Sequence, residues 1–165
     1  MLIQQNVDGS TRFFNRSWAE FKVGFNDYVG NYWLGNELLS QLTLNGRYKL
    51  KFDLQSRSNS NWYYAEYSTF IVLSEAENYR LQVAGHSGNV GNAFHYHNGM
   101  MFTTYDRDND QSLSNQAVLY GGGFWYKTTV YCAVNAAHSN FSWYRLFAAN
   151  ARYSLQSSRM WLQCK

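Results

Sequence analysis

The stretch FHYHNGMMFTTYDRDNDQSLSNQAVLYGGGFWY, residues 94–126, is the most informative part of this chain. It sets three carboxylates, Asp106, Asp108 and Asp110, two residues apart in a segment poor in apolar side chains. A Gly-rich, aromatic run, Tyr120 to Tyr126, follows closely. Alternate carboxylates in an irregular loop suit a hard cation, because Ca²⁺ collects six to eight oxygens and tolerates uneven geometry. The spacing resembles the start of an EF-hand loop but fails at two positions. Gln111 stands where that loop needs its glycine, and Ala117 where it needs its bidentate glutamate. A calcium site here has to use another frame.

Outward from this segment, Asp8-Gly9 is a tight-turn signal, and residues 2–7 and 11–14 are expected to pair across it as a hairpin. Ser17 and Glu20 have capping-box spacing, predicting a short helix from Trp18 to about Gly24. A second helix is expected after Asn36, with Leu38, Leu39 and Leu42 on one face and Asn45-Gly46 ending it. The period then changes. Tyr48, Leu50, Phe52 and Leu54 alternate with Lys49, Lys51 and Asp53, the pattern of a half-buried strand. Residues 62–73 and 79–84 read as further strands, separated by the polar segment SEAEN. Beyond residue 85, glycines and asparagines replace regular periodicity. The expected class is α+β, an antiparallel sheet flanked by short helices with a loop-rich binding subdomain. Binding groups are expected in those loops, carried by the rigid sheet.

The 165 residues suit one domain, and 45% apolar with 15% charged residues argues for an ordered globular chain. Aromatic residues reach 19%, with 14 Tyr and 6 Trp, enough for both a ring-rich core and a ring-rich binding surface. The net charge of +3 is too small to imply nucleic acid, and no apolar run is long enough to span a membrane. The first residues, MLIQQNVDGS, have no signal-peptide pattern. Two N-glycosylation sequons occur, at Asn15 and Asn140. Only Cys132 and Cys164 are present, and their spacing leaves their pairing open.

Several segments, in order, carry a family resemblance: DGSTRFFNRSWAEFKVGF (8–25), NYWLGNELLSQLT (31–43), YKLKFDL (48–54), YAEYSTFIVLSEAENYRLQVAGHSG (64–88) and YHNGMMFTTYDRDND (96–110). Weaker matches follow at WYRL (143–146) and ARYSLQSSRM (151–160). Together they resemble the fibrinogen-like domain, the C-terminal fold of fibrinogen, ficolins, tachylectins and angiopoietins. The resemblance implies a secreted recognition domain with the fibrinogen C-terminal-like fold over residues 1–165, lacking the family's N-terminal cysteine-bearing subdomain. It also implies a partner: a glycan or acetylated small ligand in the innate-immune lectins, or an extracellular protein in the angiopoietin and fibrinogen type; the remaining alternative is a truncated isoform with a degenerate pocket.

At the site, the resemblance implies a Ca²⁺ bound by Asp108 and Asp110 with the carbonyls of Ser112 and Ser114, Asp106 being structural. It implies an acetyl-binding pocket from Tyr120, Tyr144 and Tyr153, with backbone amides of Thr128, Thr129 and Val130 as donors. The chain departs from the family at this pocket. Gln116 and Thr129 stand where the ligand-site disulfide is expected, and Val130 where a histidine is frequent. The lectin pocket also implies a cis bond, here Thr128-Thr129. His95 and His97 would share one side of a strand, but no third ligand accompanies them, and a structural role is expected. No nucleophile elbow, zinc-protease signature, phosphate loop or dinucleotide fingerprint is present. Asp53 and Glu66, the one conceivable carboxylate pair for glycoside hydrolysis, fall within strand patterns. Binding is expected, and catalysis is not.

Overall fold

The computed structural model describes residues 1–9, 13–147 and 151–165. Nine strands form its sheet: β1 (Leu2–Asn6), β2 (Phe25–Asn26), β3 (Tyr32–Trp33), β4 (Tyr48–Ser56), β5 (Trp62–Val72), β6 (Leu81–Gly88), β7 (Cys132–Ala133), β8 (Ser142–Tyr144) and β9 (Arg152–Cys164). The spatial order is β2-β3-β1-β9-β4-β5-β6, with β8 attached to β9 and β7 to β8. All pairings are antiparallel. Among the described residues three α-helices accompany the sheet: α1 (Trp18–Val23), α2 (Asn36–Thr43) and α3 (Gln116–Tyr120).

The expected central strands are present. In β4, Leu50, Phe52 and Leu54 are fully buried and the intervening Lys51 and Asp53 face outward, joined by an ion pair of 2.9 Å. α1 begins as its capping box requires. The Ser17 backbone N–H donates to Glu20 Oε2 (2.8 Å), and the Glu20 N–H donates back to Ser17 Oγ (3.3 Å).

The expected 2–7/11–14 hairpin does not form. β1 pairs with β3 on one side and β9 on the other, so its hydrogen-bonding edges are already taken. Residues 11 and 12 lie outside the described residues, and Phe13 and Phe14 form a turn whose rings enter the core. In α2 the phase also differs from expectation. Its buried face is Asn36, Leu39, Ser40 and Thr43, the i, i+3, i+4, i+7 set, while Leu38 turns outward. Two of the polar residues on that face have side-chain oxygens that are hydrogen-bonded, although the Asn36 Nδ2 finds no partner among the described residues. Asn36 Oδ1 accepts from Trp33 Nε1 (3.1 Å), and Thr43 Oγ1 accepts from the Val72 N–H (2.9 Å) while donating to the Leu39 carbonyl (2.7 Å).

Beyond β6 the chain folds over one face of the sheet. Aromatic rings fill the space between: Trp125 packs against Trp33, Phe70, Phe94 and Phe102, and Phe52 against Phe94 and Trp143. Cys132 is buried in β7 and Cys164 exposed near the far end of β9, both as free thiols. Cys132 neighbours Trp143, which pairs with Tyr153, and Cys164 follows eleven residues later on the same strand. At ~3.3 Å per residue that is roughly 35 Å, far beyond the reach of a disulfide. The two cysteines do not pair.

Candidate functional site

His97 organises the region beneath the site. It lies not on a strand but in a 3-10 turn, Phe94–His97, where His95 and His97 diverge. His95 is exposed and His97 is fully buried. The Nδ1 of His97 is 2.8 Å from the Trp125 carbonyl, and its Nε2 accepts from the backbone N–H groups of Tyr131 and Cys132, both at 3.3 Å. Those contacts define a neutral imidazole with the proton on Nδ1. Burial pushes its pKa down to about 4. The two histidines therefore form no metal pair. His97 instead pins the chain at Tyr131–Cys132, where the site begins.

Above it lies a groove of about 200 Å³ lined by Thr129, Val130, Tyr131, Tyr144 and Arg152. A second hollow of about 130 Å³, lined by Asn92, Ala93, Tyr131, Tyr144 and Arg145, shares its two tyrosines. The rings of Tyr131 and Tyr144 meet edge to face at 4.9 Å, forming the wall between them. Tyr96 packs on Tyr131 at 4.1 Å, and Lys127 Nζ stands 4.7 Å over the Tyr96 ring. Each space is below the ~300 Å³ usual for whole-ligand pockets, so each fits one group of a larger ligand. A larger hollow of about 320 Å³ beside Arg57, His138 and Ser154 is lined, among the described residues, by no Tyr, Trp or Phe, and its Arg57 guanidinium already donates to the Asp8 carbonyl (2.8 Å).

The groove gathers Thr129, Val130 and Tyr144 from the sequence expectation. Tyr120 stands at its margin, its hydroxyl 3.4 Å from Arg152 Nη1, and Thr128 is exposed beside it. Tyr153 is not brought there. β8 and β9 pair Tyr144 with Arg152 and Trp143 with Tyr153. Side chains alternate along a strand, so Arg152 takes the groove face and Tyr153 the other. Tyr153 packs on Phe147 (4.1 Å), which stacks on Tyr63 (5.5 Å). Arg152, which falls in the weak match ARYSLQSSRM but is not among the expected site residues, also donates to the Val130 carbonyl. The expected cis bond is absent too. All peptide bonds among the described residues, Thr128–Thr129 included, are trans.

The acidic loop joins the groove through α3. Asp106 serves α1 rather than the other two carboxylates. Its Oδ1 accepts from the Trp18 N–H (2.9 Å) and from Thr104 Oγ1 (2.7 Å), tying down the start of that helix. Asp110 Oδ1 accepts from the Ser112 N–H and Oδ2 from the Gln116 N–H, both at 2.8 Å. Asp108 Oδ1 accepts from the Asp110 N–H (3.2 Å). Burial, with the Asp108 charge adding to it, raises the Asp110 pKa. Neither carboxylate takes part in an ion pair among the described residues. An acidic pair without a cation, half-buried at Asp110 and with lone pairs to spare on each oxygen, fits a hard divalent ion. No three His, Cys, Asp or Glu side chains cluster among the described residues, so carbonyls and water would have to complete such a shell.

Gln116, where the resemblance expects a cysteine, ties this loop without a covalent bond. Its Nε2 donates to Ser112 Oγ (2.8 Å) and to the Ser114 carbonyl (3.1 Å). The Gly-rich run is a packing device rather than a phosphate cradle. Gly121, with φ +75°, ends α3 in the left-handed conformation, and a Cβ at Gly122 would overlap the Asn135 carbonyl.

A central antiparallel sheet with an irregular subdomain folded over it, carrying an acidic loop and an aromatic groove side by side, is the architecture of the fibrinogen-like class. Residues 1–164 match the family described as fibrinogen beta and gamma chains, C-terminal globular domain, and the chain belongs to it. It is 39% identical to human Ficolin-3 over 140 residues, 84% of this chain and 46% of that protein. It is 43% identical to human Angiopoietin-related protein 1 over 125 residues, 76% of this chain and 25% of that protein. The chain thus spans less than half the length of these relatives. Its structure superposes on the fibrinogen-like globe domain of human ANGPTL2 with a TM-score of 0.86 and 35% identity, covering 99% of this chain and 79% of that one. It also superposes on a lamprey fibrin D-dimer complexed with the peptide ligand Gly-His-Arg-Pro-amide, with a TM-score of 0.84 and 27% identity over 98% of this chain and 60% of that one. Among the described residues, no helix is long and apolar enough to cross a membrane.

Proposed function

We propose that this chain is a secreted, non-enzymatic recognition domain that binds glycans in the groove of Thr129, Val130, Tyr131, Tyr144 and Arg152. The observation that carries this reading is the composition of that groove. Two tyrosine faces can cover the apolar face of a sugar or an acetyl methyl, and the Arg152 guanidinium supplies N–H donors at the rim. Ficolin-3 among the relatives is in keeping with a lectin role in innate defence. Asp108, Asp110 and the carbonyls of Ser112 and Ser114 would hold Ca²⁺, which neutralises the acidic pair and orders the loop. From there Gln116 leads through α3 to Tyr120 at the groove margin.

A second reading, a protein-interaction module like the angiopoietin-related relatives, draws on a specific observation. Tyr153 lies away from the groove, and Val130 is buried where a polar histidine would serve acetyl recognition. Exposed Leu113, Val118 and Leu119 beside the acidic loop add apolar surface of the kind protein interfaces use. A glycan array probed with the chain clustered on beads, in calcium and then in chelator, separates the two. Calcium-dependent binding to saccharides is the expected result. A folded protein that stays silent on every saccharide overturns the lectin reading in favour of protein recognition.

A further inference from the structure

The carboxylates of this chain are unevenly placed. Asp110 is the last of them: residues 111–165 contain no Asp or Glu, but five Lys and Arg, at 127, 145, 152, 159 and 165. Three of these cations converge on the paired grooves. Arg152 lines one hollow and Arg145 the other, and Lys127 stands on Tyr96, the ring that packs against Tyr131. None of the three takes part in an ion pair among the described residues, whose five pairs join groups between Arg16 and Arg80. The field reaches inward as well: Lys127 and Arg152 both help to hold buried His97 neutral. The carboxylate whose charge is felt nearby is Asp110, at Tyr126, and it belongs to the acidic loop.

We infer that the two hollows flanking Tyr131 and Tyr144 together bind an anionic saccharide, whose carboxylate or sulfate oxygens meet Arg152, Arg145 and Lys127 while its ring lies on the tyrosines. This rests on the glycan reading above and adds the charge of the ligand to it. The arrangement suits such a ligand for physical reasons. Arginine presents a planar fork of donors that matches carboxylate and sulfate geometry, and tyrosine faces cover the apolar side of a pyranose. Cations without carboxylate partners keep their full attraction for an incoming anion. Two hollows too small for a whole ligand, separated by one aromatic wall, fit two adjoining residues of a chain.

The test is isothermal titration of the full chain, in calcium, with three tetrasaccharides that all carry N-acetyl groups. Chitotetraose is neutral, hyaluronan tetrasaccharide adds carboxylates, and chondroitin sulfate tetrasaccharide adds sulfate esters. Hexaglutamate serves as a non-saccharide polyanion. The acidic tetrasaccharides are expected to bind roughly tenfold more tightly than chitotetraose at low salt, and the advantage should vanish near ~0.5 M salt, where screening is strong. Similar affinity for hyaluronan and chondroitin sulfate would identify the carboxylate as the recognised group, and preference for chondroitin sulfate the sulfate; both support the inference. The double variant Lys127→Gln, Arg145→Gln, which leaves the Arg152–Val130 bond intact, should weaken acidic-saccharide binding about fivefold and leave the melting temperature in place. Chitotetraose binding as tightly as hyaluronan, or a double variant with unchanged affinity, overturns the charge inference and leaves the glycan reading standing. Hexaglutamate binding as well as the acidic saccharides overturns the assignment to a sugar. No saccharide bound at all, by folded protein, overturns both.

Discussion

Residues 48–88 form three consecutive antiparallel strands in which apolar side chains alternate inward and ion pairs such as Lys49–Glu66 (3.0 Å) lie on the outer face. Residues 89–147 contain only short helical turns and two- or three-residue strands, yet they bury Phe102, Trp125, Tyr126 and Trp143 completely. In the first region the backbone groups satisfy one another through ladders. In the second, side chains supply the missing partners. Asn135 Nδ2 donates to the Gly123 carbonyl (3.0 Å), Asn115 Nδ2 to Thr104 (3.0 Å), Trp125 Nε1 to Tyr79 (2.7 Å), Trp143 Nε1 to Gly91 (3.0 Å) and Tyr126 Oη to Gly122 (2.7 Å). Irregular backbone can be buried only when such partners exist. The difference teaches that the binding half owes its order to individual side chains, and single substitutions there should matter most.

The largest effect is expected at Gly122. Gly122→Ala forces a methyl into the Asn135 carbonyl and should cost about 3 kcal/mol, lowering the melting temperature by roughly 8 °C. Its counterpart outside the binding half is Gly46, in the turn that leads into β4, with φ +67° and open space around it, where Ala should cost only about 1 kcal/mol of backbone strain. Equal losses in thermal unfolding would break the comparison.

Next comes pH. Unfolded His97 takes up its proton near pH 6.5, while the folded imidazole resists until about pH 4. Between those values the unfolded state binds more protons, so stability is complete above about pH 6.5 and falls as the pH drops toward 4. Between pH 7 and pH 5 the loss is roughly 2 kcal/mol. Half-buried His86, its pKa also lowered by burial, acts in the same direction. Urea midpoints that stay constant between pH 7 and pH 5 would contradict the assigned role of His97.

The smallest effect concerns the acidic loop. Asp108→Asn should remove a calcium-dependent stabilisation of about 1–2 kcal/mol, measured as the melting-temperature difference between calcium and chelator. The variant and the parent should melt together in chelator. An equal drop in both conditions would show that Asp108 serves the loop's internal hydrogen bonds and not an ion.

Most of the sheet is legible in the sequence because its signals are local. The alternation through Leu50, Phe52 and Leu54 and the Ser17/Glu20 capping box depend on neighbours a few residues away. The N-terminal hairpin misleads for the opposite reason. The Asp8-Gly9 turn is a sound local signal, but β1 finds its partners at residues 32–33 and 158–161. At the site, family motifs locate the acidic loop, Thr129, Val130 and Tyr144. Arg152, Tyr131 and Lys127 escape because their positions follow from strand register and ring packing across the fold. Strand alternation alone says that Arg152 and Tyr153 face opposite ways, but which of them joins Tyr144 is decided by the register, and here that place belongs to Arg152.

The position of β9 has a consequence for how the chain is made. β4, β5 and β6 can zip together soon after synthesis, since they are consecutive. β1 and β4, however, are neighbours only through β9, whose residues emerge some 150 positions after β1. Pairings so distant in sequence are slow to form, and unpaired strand edges attract one another. Until residues 152–164 leave the ribosome, β1 and β4 each present an open edge, and the nascent polypeptide has to be shielded from its own kind.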